Sequence, residues 1–261
     1  MKKFIKNLLS VLVCGIFLAL VACSGAQERK VNYFEKAKVY YKEKNYDKAS
    51  IELRNAIQID PKYLDALFLF GQVQEKRGDL RAAFQTFYSI VDENPDYSPA
   101  RAALARLYVL AGASDKAAEV VDIGLKTDPK NPALLAVRAA LDAQAGNLKL
   151  AIEKAETSYK LAPSDEITIA LLASLYKQDN QIEKAVKLVE GGINLLPKST
   201  DLFNILIDLE TSRNNLDLVK ARMEQLIKLE PNELTYRIKF ARFHVYRKNL
   251  AAAESVLRQA I

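Results

Sequence analysis

The sequence predicts an all-α protein in which pairs of helices stack into an α-α superhelical solenoid. The main observation is a set of prolines with a constant interval of 34 residues. These prolines are Pro61, Pro95, Pro129, Pro163, Pro197 and Pro231. A fixed interval indicates repeated supersecondary units, because each unit turns at the same point. The composition, half apolar with 9 Gly and 8 Pro, fits a folded chain rather than a disordered one.

Two columns of small residues recur with the same period. When each proline is placed at position 32, the repeats begin at residues 30, 64, 98, 132, 166, 200 and 234. Position 8 then holds Ala37, Gly71, Ala105, Ala139, Ala173, Ile207 and Ala241. Position 20 holds Ala49, Ala83, Ala117, Ala151, Ala185, Val219 and Ala253. Small side chains let helices approach closely, so both columns predict helix–helix contacts. Position 10, from Val39 to Phe243, and position 24 are apolar and predict core.

Turn residues separate two helices within each repeat. They are Asn45, Gly78, Gly112, Gly146, Asn180, Asn214 and Asn249. Gly and Asn are the residues that most readily end a helix. Each proline of the series also keeps the residue before it out of helical geometry, which predicts the end of the second helix.

The N-terminus has the pattern of an export signal. Residues 1–6 are basic, and residues 8–22 are apolar except for Ser10. This apolar run of about 15 residues is shorter than the roughly 20 that a membrane-spanning helix needs. Its end, Leu20-Val21-Ala22-Cys23, resembles the lipobox of bacterial lipoproteins, in which the cysteine becomes the lipidated first residue. The alternative is an ordinary signal peptide that is cleaved before residue 24.

These features divide the chain into three parts. We expect a lipoprotein signal peptide at 1–22, a lipidated Cys23 with a short linker at 23–29, and the solenoid at 30–261. The solenoid contains six full repeats (30–233) and an incomplete seventh (234–261). Ser24 after the cysteine implies, by resemblance to Gram-negative lipoproteins, the periplasmic face of the outer membrane.

The repeat resembles the tetratricopeptide repeat, a helix–turn–helix unit of 34 residues. The resemblance rests on the small residues at positions 8 and 20, the proline at 32, and the aromatic residues Tyr40, Tyr108 and Tyr176 at position 11. Repeat six departs from it, with Ile207, Val219 and Leu226 where small residues belong. We therefore expect looser packing there, or a core that has compensated. Repeat seven stops before its proline would fall at position 265, which suggests further repeats or a partner that covers the end.

The resemblance implies a concave groove lined by positions 2, 5, 9 and 12 of the first helices. The candidate groove residues are Phe34, Lys38, Tyr41, Phe68, Gln72, Ala102, Arg106, Ala136, Ala140, Ser174, Lys177 and Asp208. A groove with small residues in its middle would accept a helix or an extended peptide. The alternative is that the alanines and aromatic residues only pack one repeat on the next.

Charge is uneven along the chain. Residues 234–261 carry 6 basic residues and 1 acidic residue, whereas residues 64–233 carry 20 and 25. The candidate basic patch is Arg237, Lys239, Arg242, Arg247 and Lys248. Its expected partners are anionic lipid, anionic glycan or an acidic protein, and the alternative is a solvated face. Without the signal segment the net charge is only about +3, so we expect no nucleic-acid partner.

The sequence offers little for catalysis. His244 is the single histidine, and the one cysteine left after cleavage is the predicted lipid site. A nucleophilic site needs a spare nucleophile beside a base, and a metal site needs clustered ligands. We therefore expect no enzyme, no cofactor and no metal.

The sequence also resembles the tetratricopeptide lipoproteins of exosortase/PEP-CTERM systems. The similar stretches are 46–56 and Asp60-Pro61. This implies a lipid-anchored envelope scaffold that serves exopolysaccharide export or surface-protein sorting. The alternatives are a pilotin-like lipoprotein for type IV pilus secretin assembly, and a periplasmic chaperone or glycan-binding module.

Overall fold

A computed structural model describes residues 25–259, and the predicted signal peptide and Cys23 lie outside that range. The described residues form helices without strands. Residues 25–42 form α1. The remaining helices are α2 (Tyr46–Ile59), α3 (Leu64–Lys76), α4 (Leu80–Glu93), α5 (Ser98–Leu110), α6 (Ser114–Thr127), α7 (Pro132–Gln144), α8 (Leu148–Leu161), α9 (Glu166–Gln178), α10 (Ile182–Leu195), α11 (Thr200–Ser212), α12 (Leu216–Leu229), α13 (Leu234–Tyr246) and α14 (Leu250–Arg258). Successive pairs correspond to the seven predicted repeats, which confirms the all-α solenoid.

Two boundaries differ from the sequence prediction. Residues 25–29, expected to be linker, are helical and continue into α1. The chain also divides into two compact units, one ending at Val120 and the other beginning at Val121, within α6. None of the described helices is long and apolar enough to cross a membrane.

The turns inside the repeats share one backbone geometry. Position 15 is left-handed in all seven repeats, at Lys44, Gly78, Gly112, Gly146, Asn180, Asn214 and Lys248. The prediction placed the first and last of these turns at Asn45 and Asn249. Those two asparagines instead cap the next helix, because each side chain accepts a hydrogen bond from a backbone N–H of the first turn.

The small-residue columns form the core of each unit. Ala37, Ala49 and Ala83 are fully buried in the first unit, and Ala173 and Ala185 are fully buried in the second. These alanines let the two helices of a repeat pack closely against each other.

Position 10 is exposed in repeat one and position 24 in repeat seven, whereas both columns are mostly buried in the other described repeats. Val73 and Leu209, at position 10, are at most 1% exposed, whereas Val39 of repeat one is 53% exposed. Leu257, at position 24 of repeat seven, is 44% exposed, although Val189 is fully buried. Both exposed residues belong to a terminal repeat, where no described neighbouring repeat covers the helix.

Gly71 shows how tightly the first unit is packed. The ring of Phe87 fills the space beside it, and a Cβ at Gly71 would lie 2.8 Å from Cζ and 2.9 Å from Cδ1 of that ring. Phe87 is fully buried, so the ring has little room to move. Glycine at position 8 of repeat two is thus required by its aromatic neighbour.

Candidate functional site

The aromatic residues predicted for the groove are used in packing within the first unit. Phe34 stacks at a tilt on Tyr63, with ring centroids 5.0 Å apart. Phe68 lies 5.6 Å from Phe87 and 5.8 Å from Tyr97, again between centroids. Tyr41 packs edge-on against Tyr46 at 5.7 Å. Half-buried rings of this kind stabilise the repeats and leave only one edge for a ligand.

Charged side chains on the first helices are largely paired with one another. Lys38 forms an ion pair with Glu35 on the same helix, with 2.9 Å between Nζ and Oε2. Arg106 forms a two-pronged ion pair with Glu75, and Nη2 lies 2.7 Å from Oε2. Gln72, on the same helix as Glu75, is half-buried. Both cations among the candidate groove residues of the first unit are therefore already paired.

The second unit repeats one of these ion pairs at the same positions. Position 12 of one repeat meets position 9 of the next in the Glu75–Arg106 pair, and the same step joins Lys177 to Asp208. In the latter pair Nζ lies 2.5 Å from Oδ2. A separation of 31 residues in sequence thus brings oppositely charged side chains together across successive first helices. The sequence contained this signal, and the prediction missed it.

The three alanines predicted for the middle of the groove are mostly inside the protein. Ala102 is 5% exposed and Ala136 is 4% exposed, while Ala140 is half-buried. Their burial matches the packing alternative more closely than a contact surface. An arginine at position 102 or 136 would disturb the core before it blocked a ligand.

The remaining candidate groove residues gather around one opening in the second unit. Ser174, Lys177 and Asp208 line a cavity of about 400 Å³ between α9 and α11. Its wall includes Ala170 and Asn204, both at position 5 of their repeats. The predicted groove positions therefore meet here as expected from the spacing of the repeats.

Two further cavities lie between α11 and α13, at the repeat that departs from the pattern. One is about 290 Å³ and includes Ile207, Met223 and Leu226 in its wall. The other is about 340 Å³ and includes Leu216, Val219 and Phe243. Thr211, Met223 and Lys239 line both cavities, so the two openings adjoin. Bulky residues at positions 8, 20 and 27 line this cleft, and the burial of Val219 and Leu226 matches the alternative of a compensated core.

The predicted basic patch separates into residues with different roles. The Arg237 guanidinium donates a hydrogen bond to the Pro231 carbonyl. Arg247 lies 3.8 Å from Asp217, measured between Nη1 and Oδ1. Lys248 occupies the left-handed turn position. Lys239 and Arg242 are the two members that line the cavities between α11 and α13.

His244 lies in the core of repeat seven, as the sequence indicated. It is 8% exposed, and its ring centroid lies 4.5 Å from that of Phe240. Burial lowers the pKa of His244, and the nearby Lys220 ammonium lowers it further, because both disfavour a positive charge on the imidazole. A neutral, packed imidazole of this kind serves the core. Among the described residues, no three histidine, cysteine, aspartate or glutamate side chains are placed to hold a metal ion.

A cavity of about 620 Å³ lies in the first unit, and no candidate groove or patch residue lines it. It opens between α2 and α4, with Leu64, Leu67 and Phe70 of α3 in its wall. One repeat later, Arg101 occupies the position equivalent to Leu67 and is 6% exposed. Its guanidinium donates hydrogen bonds to the Pro95 carbonyl.

Comparisons with known proteins agree with this geometry. Residues 74–141 match the family described as tetratricopeptide repeat, and residues 37–78 match a second family of the same repeat. The Parabacteroides merdae tetratricopeptide repeat protein has a similar structure, with a TM-score of 0.52 at 16% identity over 89% of this chain and 92% of that one. A structure of Pseudomonas aeruginosa pilF gives 0.52 at 17% identity over 82% and 97%. Tetratricopeptide repeats are therefore shown for residues 37–141, and the solved structures share the fold over most of the chain.

Curated relatives match only parts of the chain. Cellulose synthase operon protein C of Pseudomonas fluorescens is 36% identical over 74 residues, which is 28% of this chain and 6% of that protein. The CTR9 homolog of Arabidopsis thaliana is 26% identical over 117 residues, which is 43% of this chain and 11% of that protein. This chain thus spans about a tenth or less of the relatives that it matches.

Proposed function

We propose that this protein is a lipid-anchored scaffold of the bacterial envelope that binds protein partners on the face formed by its first helices. The observation that carries the proposal is the line of cavities on that face of the second unit. Ser174, Lys177 and Asp208 line the first cavity, and residues of α11 and α13 line the next two. Openings between successive first helices give a partner segment both pockets and polar contacts.

The scaffold would serve the export of exopolysaccharide or the sorting of surface proteins. The resemblance to PEP-CTERM-associated lipoproteins supports this role. The match to a protein named for a cellulose synthase operon supports the link to polysaccharide, over the 74 residues that it covers. The structural likeness to pilF, at 17% identity, concerns the fold and does not favour a pilus role.

The membrane attachment would come from lipid on Cys23. The motif Leu20-Val21-Ala22-Cys23 supports this proposal. Several acyl chains on one residue are sufficient for stable anchoring. The test is metabolic labelling with a palmitate analogue: the wild-type protein is labelled and pellets with membranes, and Cys23→Ser is neither labelled nor pelleted. Labelling of the Cys23→Ser protein would contradict the anchor.

Partner binding is tested by capture from envelope extracts with the full-length protein. Ser174→Arg places a long cation at the mouth of the 400 Å³ cavity without touching the core, because Ser174 is exposed. Thr157→Arg is the matched control, since Thr157 is exposed on α8 and lines none of the three cavities. We expect Ser174→Arg to lose partners that the wild type and Thr157→Arg retain. Identical sets of captured proteins from all three would refute binding at this face.

A further inference from the structure

The cleft between α11 and α13 has an apolar floor. Ile207, Val219, Met223 and Leu226 contribute to it from α11 and α12, and Phe243 from α13. Val219 and Leu226 are almost fully buried, so the floor is fixed by the core beneath it. Volumes of about 290 and 340 Å³ suit one bulky apolar side chain each.

The mouth of the cleft is positively charged. Lys239 and Arg242 are exposed, and neither has an ion-pair partner in the described range. Lys239 Nζ lies 3.4 Å from a neutral acceptor, Asn204 Oδ1, and 6.0 Å from the ring centroid of Tyr236. The nearby carboxylate of Asp208 is paired with Lys177. Two unpaired cations above an apolar floor therefore characterise this cleft.

The α13–α14 side of the cleft is basic, whereas Asp208 of α11 also lines one of the two cavities. Residues 234–261 contain one acidic residue, Glu254, and it is paired with Arg258 on α14. Tyr236 and Tyr246 line the two cavities, and Tyr246 is 73% exposed. Exposed tyrosines combine an apolar ring with a hydrogen-bonding hydroxyl and are frequent in protein-binding surfaces.

We propose that the cleft between α11 and α13 binds an acidic segment of a partner protein, with apolar side chains in the two cavities and carboxylates against Lys239 and Arg242. This inference rests on the protein-binding function proposed above and assigns it a place and a ligand chemistry. Charge complementarity selects an acidic partner. Pockets of side-chain size select a polypeptide, because a membrane surface is flat and a polysaccharide has no apolar side chains to insert.

The test measures binding of fluorescein-labelled peptides to the full-length protein by fluorescence anisotropy. The main probe is a short peptide that alternates Glu with Leu, and two comparison peptides alternate Lys with Leu and Glu with Ser. We expect the Glu-Leu peptide to bind at least about tenfold more tightly than either comparison peptide. Raising the salt concentration weakens its binding, because the rim charges are exposed.

Two variants examine the site directly. Lys239→Glu with Arg242→Glu reverses the charge of the mouth and lowers affinity for the Glu-Leu peptide by about tenfold or more. Thr211→Phe fills the opening from an exposed position common to both cavities and has a similar effect. Lys149→Glu with Lys160→Glu makes the same change in net charge at exposed positions of α8, which line neither cavity, and leaves affinity within about twofold of the wild type.

Other outcomes overturn the proposal. Equal losses in the two double variants would show attraction to net charge alone. Tight binding of the Glu-Ser peptide would show that the cavities need no apolar side chains. Displacement of the Glu-Leu peptide by heparin or by short-chain phosphatidylglycerol would assign the surface to a glycan or a lipid headgroup. If Ser174→Arg still abolishes partner capture while the peptides do not bind, this cleft is wrong but the protein-binding function stands.

Discussion

Repeats five and six have the same length and the same helix boundaries within the repeat, but they pack differently. Repeat five has Ala173, Ala185 and Gly192 at positions 8, 20 and 27, and all three residues are buried. Repeat six has Ile207, Val219 and Leu226 at those positions. Val219 and Leu226 are almost fully buried and Ile207 is half-buried, and each of the three lines one of the cavities toward α13.

The difference shows that the small-residue columns set the spacing of helices rather than their existence. Repeat six remains a regular helix pair because its larger side chains fill the interior. Cavities open on the first-helix side at both repeats, beside Ala173 in repeat five and beside Ile207 in repeat six. The departure from the repeat pattern gives the second opening a lining of bulky side chains, and the substitutions below examine what those side chains contribute.

The largest effect is expected when repeat five receives the residue of repeat six at position 27. A Cβ at Gly192 would lie 3.0 Å from Ile169 Cδ1 and 3.1 Å from Leu202 Cδ1. Gly192→Leu therefore overpacks the core and lowers the free energy of unfolding by about 3 kcal/mol, measured by urea unfolding. Gly191→Leu is the control, because nothing lies within 4 Å of its added Cβ. It should be neutral or stabilising by up to about 1 kcal/mol, and equal losses at the two glycines would contradict this account.

The second effect is expected in the interior of repeat six. Leu226 is 2% exposed, and Leu226→Ala should lower the free energy of unfolding by about 2–3 kcal/mol through lost burial and a new void. Leu218→Ala on the same helix starts from a side chain that is 37% exposed and should cost less than about 1 kcal/mol. Similar losses from both variants would mean that the core of repeat six is not filled.

A smaller effect is expected at the wall of the cleft. Ile207 is half-buried, and Ile207→Ala should lower the free energy of unfolding by about 1 kcal/mol, because part of its side chain already faces a cavity. Urea unfolding measures the change. An increase in stability would show that Ile207 strains the repeat instead of filling it.

The smallest effect concerns pH. The lowered pKa of His244 means that the unfolded chain, with an ordinary pKa of about 6.5, binds the proton more readily than the folded chain. Its contribution to stability is therefore fully present above about pH 6.5 and is lost as the pH falls through the lowered folded value. Between about pH 7.5 and 5.5, urea unfolding should show a larger loss for the wild type than for His244→Phe. Equal losses of stability in the wild type and His244→Phe would exclude the buried imidazole as the cause of the pH dependence.

Much of the fold could be predicted because the repeat imposes local rules. The proline interval and the turn residues predicted the alternation of two helices and a turn within each repeat, which the described residues show. The left-handed backbone at Lys44 and Lys248 was missed, because the adjacent asparagines are stronger turn signals. The conformation there follows from the length of the repeat and not from the residue.

The candidate site was less predictable, because exposure depends on neighbouring repeats. Ala102 and Ala136 occupy positions that face the groove, yet both are buried. The pairing of Lys177 with Asp208 joins position 12 of one repeat to position 9 of the next, and both positions can be read from the sequence. In contrast, no sequence pattern distinguishes the unpaired Lys239 from Arg237, which donates to a backbone carbonyl.

The account is tested most directly by hydrogen exchange of the full-length protein with and without the Glu-Leu peptide. It predicts that the peptide slows amide exchange in α11 and α13, the two helices that border the cleft. It also predicts unchanged exchange in α3 and α4, which border the cavity of the first unit. Protection confined to α3 and α4, or no protection anywhere, would contradict the claim that the irregular repeat six forms the binding surface.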